Sequence, residues 1–258
     1  MPFAACAALA VLPWRACVPL MKKDMTVAVL LQPRPMAAAR PWQKRQDAAL
    51  LPNEMMEPHV AREQLLLLTA AMAREGGTPP QRVLPSPPAS YRQWEHYPKG
   101  DAIDPVSKAR WFYHAHPPQQ RDPGEHGHFH IFLPLSAFEG VEALAAPQKE
   151  KAAKVVHVAA LSFGTDGLPS NWCATNQWVT EEYLFPAEPI IARLDQLDLD
   201  QAGEDRGIAD VGRWLTLAIT MSRFEITQLL RARDHALTQC DGPRDRKAEV
   251  LARQGFAL

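Results

Sequence analysis

"GEHGHFHIFL", residues 124–133, places a histidine at every second position from His126 to His130. Successive side chains of a β-strand point to opposite faces. As a strand, the segment puts His126, His128, His130 and Phe132 on one side. Gly127, Phe129, Ile131 and Leu133 fall on the other. The preceding "ARWFYHAH" (109–116) divides in the same way, with Trp111, Tyr113 and Ala115 opposed to Phe112, His114 and His116. The loop "PPQQRDPGE" (117–125) joins the two as an antiparallel pair. A one-residue slip would set histidines against an apolar row, so register is strongly specified. The consistent pairing sets His114 opposite His128 and His116 opposite His126. It gathers five imidazoles on one sheet face.

Further strands extend this pair. "KVVHVAALSF" (154–163) and "NWCATNQWVT" (171–180) flank Asp166-Gly167, a hairpin turn signal. His157 joins the cluster if its strand lies beside 126–133 and its odd-numbered face matches. Helix formers predict a helix over Glu57–Glu75, stopped by Gly76-Gly77. Five prolines in "TPPQRVLPSPP" exclude regular structure there. "AEPIIARLDQLD" (187–198) predicts a short helix, and apolar spacing predicts one long helix from Ile208 to Gln239, closed by Gly242-Pro243. Strands followed by helices, without alternation, give an α+β fold. The expected sheet is small and antiparallel, about four strands in two hairpins. The N-terminal and C-terminal helices cover one face. Residues 53–258 read as one domain. Residues 1–52 lack sustained periodicity and read as a disordered leader, from a misjudged start codon or a cleaved targeting peptide.

Composition narrows the function classes. Formal net charge is -1, with 22% charged and 47% apolar residues. Nothing here attracts nucleic acid or an anionic membrane in bulk. The N-terminal apolar runs are too short for a membrane span, for which ~20 residues are needed. The four cysteines form no CxxC pair, which argues for a reducing, cytoplasmic setting. Cys173 reads as a buried strand residue. No phosphate-binding glycine loop or GxSxG elbow is present.

Clustered imidazoles charge together in mild acid, so an ion, an anion or carboxylates must compensate. Neutral imidazole is a first-choice ligand for transition metals, here zinc or iron. The candidate ligands are His114, His116, His126, His128 and His130. His128, Glu125 and Glu181 are the candidate catalytic groups, with Asp122 and Asp166 as further carboxylates. Thr175 and Asn176 are candidate contacts to a small-molecule substrate. The expected activity is metal-dependent hydrolysis or oxygenation. A non-catalytic binding or interaction module remains the alternative. "WEHYPKGDAIDP" (94–105) reads as a solvated, turn-rich loop.

Two resemblances add to this. "HGHFHIF" resembles the histidine-triad motif of nucleotide hydrolases and transferases, which by position implies that His128 attacks a phosphate. Gly127 stands where that pattern has a hydrophobe. Over roughly residues 90–238, the segments "FYHAHPP", "GEHGHFHIFL", "TNQWVTEE" and "LLRARDHAL" resemble an uncharacterised bacterial family, a domain of unknown function. That resemblance implies one structural unit and no mechanism.

Overall fold

A computed structural model describes residues 56–85, 92–149 and 151–257. The leader assigned to 1–52 lies outside the described residues, as do Cys6 and Cys17. The fold is α+β, built on an open antiparallel sheet. Its strands are β1 (Tyr97–Ile103), β2 (Arg110–His114), β3 (Glu125–Pro134), β4 (Val155–Gly164), β5 (Pro169–Thr175) and β6 (Val250–Gly255). Each pairs with the next in chain order, so there are six strands rather than four.

The two unforeseen strands are the edges. β1 lies inside the segment read as a loop, and Asp104 just beyond it is buried. Its carboxylate accepts from the backbone N–H groups of Val106, Ser107 and Gln201, which satisfies a buried charge without solvent. The fourth expected strand ends early, at Thr175, and the chain turns into a short helix, Gln177–Thr180.

The helices are α1 (Pro58–Arg74), α2 (Pro79–Val83), α3 (Gln177–Thr180), α4 (Ala187–Ile191), α5 (Ala209–Met221) and α6 (Arg223–Leu237). α2 forms within the proline-rich stretch because Pro79 and Pro80 occupy its first turn, where no N–H is needed. The Gln81 side chain accepts from the Thr78 N–H at 2.9 Å and closes that end. The long C-terminal helix is two helices broken at Ser222.

One face of the sheet packs on the helices. Trp111, Tyr113, Phe129, Ile131, Leu161, Phe163 and Trp172 share a core with Leu65 and Met72 of α1, Trp214 and Leu215 of α5, and Leu229 and Leu230 of α6. Burying each such side chain contributes on the order of 1.5–3 kcal/mol. The buried Trp214 indole N–H is satisfied within this core by donating to Thr69 Oγ1 at 2.8 Å. The other face carries the histidines. Beside them, Phe112, Phe132 and Val155 form a small separate apolar cluster. Among the described residues, no helix is long and apolar enough to cross a membrane.

Candidate metal centre

Two β-bulges decide which side chains reach the histidine face. Register between β2 and β3 is regular and sets His114 opposite His128, as the alternation requires. Between β3 and β4, Glu125 pairs with Gly164 but Gly127 with Phe163, so His126 is an extra residue. A bulge reverses facing beyond it. His126 therefore turns toward the helical side, where its Nδ1 lies 2.6 Å from the Tyr113 hydroxyl. It leaves the histidine cluster, which corrects the expected pairing with His116. Glu125 takes the vacated side. The bulge requires Gly127: a Cβ there would come within 2.4 Å of the His114 carbonyl oxygen and 2.8 Å of the Tyr113 hydroxyl.

The second bulge lies in β4. Ile131 pairs with Ala159 and Phe132 with His157, leaving Val158 as the extra residue. This brings His157 onto the histidine face, while Ala160 and Ser162 sit opposite His130 and His128. Without the bulge, the alternation that puts Ala160 and Ser162 there would turn His157 into the helical core.

The rings now converge. His114 Nε2 lies 2.8 Å from His128 Nε2 and 3.2 Å from His116 Nε2. One ring nitrogen from each of His114, His128 and His130 falls within 4.8 Å of the other two. His130 is fully buried, and its Nε2 has no hydrogen-bond partner among the described residues. Its Nδ1 lies 2.9 Å from His157 Nε2. His128 Nδ1 lies 2.9 Å from Glu125 Oε1. Two of the three converging rings are thus held from behind, one by a carboxylate and one by an imidazole. If Nε2 carries the lone pair facing the centre, Nδ1–H donates outward in both. This is how metal-binding histidines are oriented and made more basic.

Electrostatics disfavours charge on His114, His116, His130 and His157. Burial, then repulsion from His128, His116 and His96, lowers His114 to about 2. His157 falls to about 3 through burial, the nearby Arg233 guanidinium and His128. His130 is pushed well below its ordinary value, chiefly by burial and then by His128 and His114. Burial and His128 also lower His116. Burial acts to raise the Glu125 pKa, but the His128 hydrogen bond and its companions outweigh it and leave the group below its ordinary value. The result is uncharged nitrogen donors at His114 and His130 beside an anionic Glu125. That is the protonation state a cation requires.

Aromatic rings cover one end. Trp94 stacks on His116 at 4.3 Å, and His96 stacks on Phe112 at 3.6 Å with the planes 6° apart. At the other end a cavity of about 260 Å³ opens. His116, Glu125, His128, Ala160, Ser162 and Cys173 line it, along with residues from the 119–122 turn and from β6.

Of the residues expected in the site, His114, His116, His128, His130 and Glu125 come together. Thr175 and Asp122 line the cavity. Asn176 does not: it is fully buried, its Oδ1 accepts from the Gln177 N–H, and its amide donates to the carbonyls of Gly242 and Asp245. Glu181 is also apart, held by Arg244 at 2.9 Å and the Gln148 N–H. Asp166 accepts from the Leu168 N–H inside its turn. Cys173 is a buried strand residue as expected, yet its side faces the cavity, 3.6 Å from Ser162 Oγ. Sequence reasoning missed Ser162, Arg121, Arg253 and Glu249. Arg121 and Glu249 come from segments with no strand alternation to place them.

The chain belongs to the family described as Domain of unknown function (DUF6969), whose model matches residues 59–255. No curated protein and no solved structure matches it.

Proposed function

We propose that this DUF6969 chain is a metal-dependent enzyme whose His114, His128 and His130 hold one zinc or iron ion. The observation that carries the reading is the convergence of three imidazole nitrogens, two of them backed by Glu125 and His157. Three protein ligands leave at least one position for water or substrate, the arrangement of catalytic rather than structural sites. The cavity beside His128 gives that position somewhere to open. A bound ion would supply Lewis acidity, lowering the pKa of water or polarising a substrate oxygen. Zinc would make the activity hydrolytic, and iron would direct it toward dioxygen.

The chain's own groups have distinct parts in this. Glu125 holds the His128 ring and sits at the cavity wall, where it can take a proton from bound water. His157 fixes His130 and has no access to the cavity. His116 stands between the triad and the cavity, its Nδ1 3.8 Å from Glu249, and can exchange protons with either. Phosphoryl transfer by His128 alone is less well supported. Its Nε2 faces His114 rather than open cavity, and the neighbouring rings would have no part to play.

Elemental analysis of the purified chain tests the reading. About one zinc or iron per chain is expected, lost when His128 and His130 are both replaced by alanine. Protein that is free of transition metal and takes up neither Zn²⁺ nor Fe²⁺ on dialysis would overturn it.

A further inference from the structure

The cavity beside the triad has a far wall, and that wall has its own chemistry. Strand pairing carries the floor across the sheet: His130 faces Ala160, Ala160 faces Cys173, and Cys173 faces Arg253. At ~4.8 Å per strand, the Cys173 backbone lies about 10 Å from that of His130. Between them the floor is Ala160 and Ser162, the smallest side chains on that face. The Arg253 side chain folds back, bringing Nη1 within 3.7 Å of Cys173 Sγ. Beside it Thr175 is only 8% exposed, and its Oγ1 has no hydrogen-bond partner among the described residues. Leaving a buried hydroxyl unmatched is unfavourable, so Thr175 is a donor in need of an acceptor.

Resting on the metal reading above, we propose that the substrate is a small carboxylate. Its carboxylate binds Arg253 and Thr175, and its reacting end reaches over Ala160 to the metal. Arg253 currently pairs with Asp122 at 2.5 Å, but those side chains are 41% and 54% exposed. An exposed ion pair holds little free energy and yields readily to a better acceptor. A planar guanidinium also matches a carboxylate in two-point geometry.

Charge supports the same class. Arg121 and Arg253 line the cavity together with Asp122, Glu125 and Glu249, one negative charge in sum. A divalent ion at the triad makes the sum one positive. Carboxylate binding and metal binding therefore reinforce each other. The volume, about 260 Å³, lies just below the ~300–1,000 Å³ range of drug-sized pockets and fits a compact metabolite.

The test uses the full chain loaded with cobalt(II), whose visible spectrum reports ligands at the metal. Glutarate is the probe, and its uncharged diamide, glutaramide, is the control. Calorimetry should show glutarate binding, and the cobalt spectrum should change with it. Arg253→Met should weaken glutarate roughly tenfold or more, and Thr175→Val several-fold, at unchanged metal content. Arg253→Lys should recover part of the loss. Glutaramide binding as tightly as glutarate would overturn the proposal, as would unaltered glutarate affinity in Arg253→Met. If the chain takes up no metal, the metal reading fails and this one with it. If metal loads fully and glutarate does not bind, only the carboxylate assignment fails.

Discussion

Replacing Glu125 by glutamine separates the charge behind His128 from the shape that holds it. The carboxylate lies 2.9 Å from His128 Nδ1, and its side chain is only 12% exposed. Glutamine keeps an oxygen that can accept from Nδ1–H but removes the negative charge. A hydrogen bond to a charged group is worth about 1.5–3 kcal/mol and a neutral one about 0.5–1.5, so the change costs roughly 1–1.5 kcal/mol of ligand orientation and basicity. That corresponds to about a tenfold loss in metal affinity. Glu125→Leu removes the partner altogether and should approach the hundredfold end of such effects. His126→Ala is the internal control, because its ring faces Tyr113 on the opposite side of the sheet. It should leave affinity within about twofold. Competition with a chromophoric chelator near neutral pH measures all three, with circular dichroism confirming that each variant is folded. The reasoning fails if Glu125→Gln and Glu125→Leu bind zinc as tightly as the parent, or if His126→Ala is the most damaging of the set.

The metal-free protein should lose stability as pH falls below about 6.5. The His157 pKa is about 3 in the fold and 6.5 in the unfolded chain, so the unfolded state binds the extra proton in that window. At about pH 5 this group alone removes roughly 2 kcal/mol, readable as a lower urea midpoint, and saturating zinc should raise the midpoint without flattening the dependence, since the unfolded chain still takes up the proton; a midpoint constant from neutral pH down to about pH 5 would contradict it. Gly127→Ala should destabilise by about 1–3 kcal/mol or more, since the new Cβ meets the His114 carbonyl, a backbone atom with little freedom to move. A melting temperature equal to the parent's would show that the strands part there without cost. Asn176→Ala should cost about 1–3 kcal/mol by removing the amide hydrogen bonds to the carbonyls of Gly242 and Asp245 and the side-chain acceptor of the Gln177 N–H, while the metal-loaded protein binds glutarate as before. A selective loss of glutarate binding with stability intact would assign Asn176 to the substrate instead.

How far the sequence reveals this site depends on parity. Along β3 the row Phe129, Ile131, Leu133 is wholly apolar, so a slip would be costly and the histidine side is legible from alternation alone. The edge strands give no such signal. β1 reads YPKGDAI, with Pro98 and Gly100 marking turns and only Tyr97 and Ala102 buried, and β6 is partly exposed along its length. The break between α5 and α6 at Ser222 carries neither glycine nor proline, and the apolar spacing runs on through it. The bulges are the deeper difficulty. Each adds one residue to a strand and exchanges the faces beyond it, yet composition barely changes. At Val158 nothing in the sequence marks the extra residue. At His126 one mark exists: Gly127 interrupts an otherwise bulky apolar row, and a strand gives up a buried side chain where another backbone must approach closely. That glycine is also where the chain departs from the histidine-triad pattern. Its position therefore argues that the three histidines of 126–130 were never equivalent. Two face the candidate metal centre, and the third is turned away, which leaves Glu125 behind His128.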